Sequence, residues 1–253
     1  MSALRDAFAR RKAFIPFIMA GDPDLATTEA LVRALSDAGA DAIELGVPFS
    51  DPIADGPVNQ RAAERALRGG TTLAKVLELC RGLKSGGLTT PIVLFTYLNP
   101  LLAFGGPPEG ADATLVLDPA DDDEPAALAG RDRILLASPT TTPARLAAVR
   151  ARAGSFVYYV SRLGVTGARA ELPPGLADDV ARVRAAVERP LAVGFGVSTA
   201  EQAAAVARVA DGVVVGSAIV QRIEDLGRDA VGPVREFARE LAQAVHDTHT
   251  TNR

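Results

Sequence analysis

Short apolar runs alternate with longer stretches whose apolar residues recur at helical spacing. The runs fall at Phe14–Met19, Ala42–Leu45, Ile92–Tyr97, Thr114–Leu117, Arg133–Leu136, Phe156–Val160, Leu191–Val193 and Gly212–Val215. Each is brief and shows little polar alternation, as expected of a strand buried on both faces. Helical patterns lie between them at Thr27–Ala38, Leu73–Lys84, Pro143–Ala153, Ala177–Val187 and Thr199–Val209, and Val231–Val245 closes the chain. Thr142 before Pro143 and Ser198-Thr199 before Glu201 are helix-opening signals, and Gly39 is placed for a left-handed C-terminal cap. Repeated strand–helix units in this number predict a (β/α)8 TIM barrel, read as a single domain over residues 1–253 with a disordered tail from about 246. An open doubly wound sheet is the alternative, but AGDPD, not a glycine-rich nucleotide fingerprint, follows the first run.

One link in the pattern is weak. Only a short segment separates Asn99 from Asp118, and it contains GGPPEG. Paired Gly and paired Pro oppose helix formation at successive positions. The helix between strands three and four is therefore expected to be shortened or absent. The segment should cross as an irregular loop with at most one helical turn, leaving Leu101, Leu102 and Phe104 partly exposed or folded over the gap. The wider stretch Gly105–Glu124 is the least regular part of the chain.

Composition narrows the functional classes. Hydrophobic residues make up 48% of the chain while aromatics are 5% and Trp is absent, so small aliphatic residues must do most of the packing. A net charge of -4 argues against a general nucleic-acid binder. The single Cys, Cys80, sits in the amphipathic pattern LAKVLELC and reads as a packed thiol. The two His, His246 and His249, lie in a polar C-terminal stretch and read as non-catalytic. No apolar run has membrane-spanning length and the N-terminus lacks a signal-peptide core, so a cytoplasmic enzyme is expected.

Barrel chemistry sits at the C-terminal ends of the strands and in the loops after them. Glu44 lies inside the apolar run DAIELG, and burial would favour its neutral form and tune it for proton transfer near neutral pH. A structural ion pair is the competing reading, and position alone does not choose. The following loop, GVPFSDPIADGPVNQ, carries Asp51 and Asp55. Paired acids suit acid–base work, but Asp before Pro or Gly is also common in turns. Turn chemistry is favoured for Asp51, and Asp55 stays open. Small residues also cluster after the last three strands, at Gly167, Gly194, Gly196, Gly216 and Ser217. There, backbone N–H groups can approach an anion closely, which suggests a phosphate grip and a small phosphate ester as substrate.

The segments PFIMAGDP, ADAIELGVPFSDPIADGP, RALRGGTTL, FTYLNP, YYVSRLGVTG, GFGVST and VVVGSAIV run in order from Pro16 to Val220. Together they resemble the tryptophan synthase alpha chain. The resemblance implies retro-aldol cleavage of indole-3-glycerol phosphate to indole and glyceraldehyde 3-phosphate, without metal or organic cofactor. It assigns Glu44 as the residue that protonates the indole carbon and handles the glycerol hydroxyl, and Asp55 as the acceptor of the indole N–H. Phe17, Phe95, Tyr97 and Tyr158 match or adjoin the family's indole pocket. Thr166 matches the residue that helps close the loop after strand six. Gly167, Phe195, Gly196, Gly216 and Ser217 match its phosphate site. The implied partner is the beta chain, in an alpha2-beta2 assembly, which uses pyridoxal phosphate to join indole to serine.

Three places depart from the family. Asn59 stands where an apolar residue is usual, the segment after Asn99-Pro100 is short, and an acidic run follows Asp118-Pro119. The affected side of the barrel adjoins the beta chain in the family, so a weaker or differently shaped association is expected. A free-standing lyase, or a weakly active copy that mainly supports the beta chain, is the alternative.

Overall fold

The computed structural model describes residues 3–118, 128–161, 175–194 and 196–248. Eight strands close into a parallel barrel in sequence order. They are β1 (Ala13–Met19), β2 (Ile43–Gly46), β3 (Ile92–Thr96), β4 (Ala113–Val116), β5 (Arg133–Ala137), β6 (Val157–Val160), β7 (Leu191–Gly194) and β8 (Gly212–Val215). The ring closes where β8 pairs with β1, Ala13 opposite Gly212 and Pro16 opposite Val215. All eight expected strands are present, with boundaries moved by at most a residue or two.

The helices are α1 (Ala3–Arg10), α2 (Leu25–Asp37), α3 (Pro57–Arg68), α4 (Leu73–Ser85), α5 (Leu98–Phe104), α6 (Pro143–Arg152), α7 (Leu176–Val187), α8 (Ala200–Val209), α9 (Ser217–Leu226) and α10 (Val231–Asp247). Thr142 and Thr199 cap α6 and α8 through their side chains, and Gln202 completes a reciprocal capping box with Thr199. Gly39, just past the end of α2, has φ +104°.

Two apolar layers result. One lies between sheet and helices, and there Cys80 is fully buried, its thiol pushed up to about 12 by burial. The other fills the barrel and includes Ile15, Val93, Leu115, Ile134, Phe156 and Val214. Leu4 and Phe8 of α1 join this inner layer, with the Phe8 and Phe156 rings 4.9 Å apart, so α1 closes the N-terminal end of the barrel.

Two expectations need correction. The segment after β3 opens with α5, seven residues or about two turns, rather than an irregular loop with at most one. The helix-opposing Gly and Pro begin only at Gly105, which ends α5 in a left-handed conformation at φ +71°. The helix is thus shortened, not absent, and 105–112 is non-helical. Leu101 is buried, while Leu102 and Phe104 remain 58% and 39% exposed. His246 likewise belongs to no tail, since α10 runs through Asp247 and His246 Nε2 lies 2.8 Å from the buried Asp41 carboxylate. Burial opposes the Asp41 charge, but hydrogen bonds from His246 and the Phe14 N–H, with Arg11 alongside, hold its carboxyl below the ordinary range. The cluster pins α10 to the start of β2. His249 lies outside the described residues.

Candidate active site

Alternation along the strands selects what faces the barrel mouth. Phe17 of β1 is register-paired with Glu44 of β2, and Gly46 with Phe95 of β3. The rings of Phe17 and Phe95 meet edge-on at 5.0 Å. Phe17 needs glycine around it. A Cβ on Gly46 would come within 2.8 Å of the Phe17 ring, and one on Gly216 within 3.4 Å.

Glu44 is wholly buried and neither carboxyl oxygen has a hydrogen-bond partner among the described residues. No described residue forms an ion pair with Glu44. Desolvation alone pushes its pKa up to about 8. A carboxyl in that range is mostly protonated at neutral pH and can give a proton, then take one back.

Asp55 is held over the same end by its surroundings. Tyr97 O–H donates to Asp55 Oδ2 at 2.9 Å and accepts from Ala54 N–H at 3.0 Å. The Gln60 amide, in the first turn of α3, donates to the Asp55 and Pro52 carbonyls at 2.8 and 3.3 Å. The Phe49 ring lies 5.0 Å from that of Tyr97. Burial raises the Asp55 pKa above the usual carboxylate value, and the Tyr97 hydroxyl works against that rise. Asp51, by contrast, is exposed and bonded to Ser50, in keeping with a turn role. Phe49 and Gln60 carried no sequence signal, because their contacts depend on how the loop folds back.

Tyr158 of β6 feels the charge of both acids. Burial first, and then the charges of Glu44 and Asp55, push its phenol well above its usual range. The small residues open the neighbouring wall. Gly194 ends β7, Gly196 has φ +60°, and Gly216 leads directly into α9 at Ser217. Gly216 O accepts from the Ile219 and Val220 N–H groups, while helix geometry leaves the Ser217 and Ala218 N–H groups without an intrahelical acceptor. Thr166, Gly167 and Phe195 lie outside the described residues.

A family profile described as "Tryptophan synthase alpha chain" matches residues 4–248. The tryptophan synthase alpha chain of Citrifermentans bemidjiense is 47% identical, across 97% of this chain and 98% of that protein. This chain belongs to the tryptophan synthase alpha-chain family. Another relative in the family, from Phenylobacterium zucineum, is also 47% identical, over 93% of this chain and 90% of that one. Among solved structures, tryptophan synthase subunit alpha of Legionella pneumophila str. Paris superposes with a TM-score of 0.89 at 34% identity, over 98% of this chain and 99% of that one. A chain from the tryptophan synthase a2b2 complex of Pyrococcus furiosus gives 0.84 at 37%, over 92% and 98%. As a tryptophan synthase alpha chain the molecule is a lyase of tryptophan biosynthesis. No helix among the described residues is long and apolar enough to cross a membrane.

Proposed function

We propose that this chain cleaves indole-3-glycerol phosphate to indole and glyceraldehyde 3-phosphate, with Glu44 and Asp55 as its catalytic residues. The observation that carries the reading is Glu44, a buried carboxyl in a barrel strand with no hydrogen-bond partner among the described residues, tuned to about 8.

The proton accounting follows from that state. Protonated Glu44 gives its proton to the ring carbon that bears the glycerol chain. The ring then carries positive charge shared with its N–H, and the Asp55 carboxylate accepts that N–H and stabilises the charge. Glu44, now a base, removes the proton of the adjacent chain hydroxyl. The carbon–carbon bond breaks, its electron pair restores the aromatic ring, and the hydroxyl carbon becomes an aldehyde. Glu44 ends protonated, as it began, so no group outside the chain is needed to balance the reaction. Phe17, Phe95, Tyr97 and Tyr158 would line the ring's space. Gly194, Gly196, Gly216 and Ser217, with Gly167 and Phe195, would hold the phosphate, and Thr166 would help close the loop after β6. A beta chain is the expected partner and would collect the indole.

Indole release from indole-3-glycerol phosphate, with and without a beta chain, tests the reading. Release by the wild type and its loss in Glu44→Gln are expected. A wild type that liberates no indole under either condition rejects it.

A further inference from the structure

Three elements that frame the site meet in one small apolar cluster, Phe17 and Met19 of β1, Ala62, Ala63 and Ala66 of α3, and Val220 of α9. The fully buried positions of α3 in it are all alanine, with Val58 half-buried at its first turn. Alanines let helices approach closely but offer no long side chains to interdigitate, so packing alone sets the sliding position of α3 on α9 weakly. That position matters, because the loop carrying Asp55 runs into α3 and α9 starts at Ser217.

Directional charge contacts cross this junction instead. Arg65 of α3 grips Asp22, in the turn after β1, through two parallel bonds of 2.8 Å, and Asp22 is 1% exposed. The same guanidinium reaches Glu224 of α9 at 2.8 Å. Arg61, one turn earlier, clasps Glu224 with bonds of 2.8 and 2.7 Å. Bidentate arginine–carboxylate contacts fix orientation as well as distance.

We infer that Arg65 is a positioning residue, joining the β1 turn, α3 and α9 so that the Asp55 loop and the Ser217 anion grip keep a fixed spacing around Phe17. This rests on the proposed reading that Ser217 helps hold a phosphate ester. Arg65 touches no substrate and acts through the two helix starts.

The test is a double-mutant cycle on affinity for glycerol 3-phosphate, measured by titration calorimetry with wild type, Arg65→Met, Ser217→Ala and the double variant. Arg65→Met is expected to raise Kd about three- to tenfold and to lower the turnover of indole release. The double variant should fall short of the product of the single effects by at least about threefold, because a misplaced Ser217 has less binding to lose. A merely structural Arg65 would lower the melting temperature and leave Kd unchanged or the effects multiplicative, and either result overturns the inference. Arg65→Met leaves Asp22 buried without its partner and is at risk of not folding. Glu224→Gln, at the solvent edge of the same network, then runs the same cycle with the same criteria. A wild type that binds glycerol 3-phosphate and releases indole, with multiplicative variants, removes only the role of Arg65. A wild type that does neither removes the functional reading and this inference together.

Discussion

The phenol of Tyr158 occupies the space into which a side chain at Gly194 would project: a Cβ built there lies 2.6 Å from Tyr158 Cζ and closer still to the hydroxyl. Neighbouring β6 and β7 bring them side by side, with Tyr158 in register with Ala192 and Val160 with Gly194. Gly194→Ala must therefore displace the Tyr158 ring. The strands themselves stay paired, so the expected outcome is a folded barrel with kcat/KM for indole release lowered about tenfold or more. Kinetics alongside near-UV circular dichroism would show it. An alanine variant with wild-type kinetics would mean that Tyr158 does not line the substrate's space.

Glu44 yields a prediction with two readouts. Glu44→Gln should lose on the order of 10² to 10⁴ in turnover while keeping its fold. Its ionisation also opposes folding. The folded pKa, about 8, lies above the ordinary value of 4.5, so the folded state binds the extra proton between those limits. The stability associated with Glu44 is complete below about 4.5 and is lost as pH rises through about 8. Over that window the loss is on the order of 5 kcal/mol. Glu44→Gln should accordingly gain stability relative to wild type at pH 8–9 and lose that advantage toward pH 4.5. Urea melts at several pH values would measure the gap. A difference independent of pH would place the Glu44 titration elsewhere.

Asp55 depends on Tyr97. Removing the phenol oxygen in Tyr97→Phe takes away a donor to the carboxylate and the acceptor of the Ala54 N–H. Losing a donor disfavours the charged form, so the Asp55 pKa should rise and the acid limb of the pH–rate profile should move to higher pH. Turnover at neutral pH should fall about tenfold, the scale of a hydrogen bond to a charged group. Asp55→Asn should lower turnover further while binding of glycerol 3-phosphate survives, because the proposed ring and phosphate sites lie at different strand ends. An acid limb that does not shift in Tyr97→Phe would show that another group sets it.

The anion grip is best probed at Ser217, which is exposed at the start of α9. Ser217→Asp places a carboxylate where a dianion is expected and should weaken glycerol 3-phosphate binding by tenfold or more. Gly216 is a less specific probe than its sequence context suggests, because a side chain there also touches Phe17. Unchanged affinity in Ser217→Asp would put the phosphate at a different strand end.

The barrel was legible because strands buried on both faces leave unbroken apolar runs, such as IVLFT in β3 and GVVV in β8. Glu44 stood out for the same reason, as a carboxylate inside such a run. Two flanking helices did not. Helix α3 buries only alanines, and α9 opens immediately after the glycine of the anion grip, which masks its start. Helix α5 was underestimated because the propensity penalty of GGPPEG was spread over residues that precede it. The Tyr97–Asp55 bond spans 42 positions and the Arg65–Glu224 bond 159. Local spacing does not encode such contacts, and only closure of the barrel brings them together.

Docking of a beta chain gives the last prediction. On the loops at the C-terminal end of the barrel, Ile53 is 86% exposed, Leu102 58% and Phe104 39%. Leu102 and Phe104 project from α5, while Leu101 on the same helix is buried against the core. Helix α5 therefore anchors itself through Leu101, with Leu98 half-buried against the same core, and presents Leu102, Ala103 and Phe104 to solvent. Exposed apolar side chains on a helix with no cover of its own suit an interaction surface. The crossover is truncated after Phe104, so its outline should fit the beta chain of a relative with a full helix poorly. Affinity for that foreign beta chain is expected to be lower than for the cognate one. Leu102→Asp together with Phe104→Asp should abolish activation by the cognate chain while basal indole release continues, since neither residue is assigned to the substrate. Sedimentation velocity and indole release, each with both beta chains, would measure this. Equal affinity for the two, or full activation of the double aspartate variant, would show that the partner binds elsewhere.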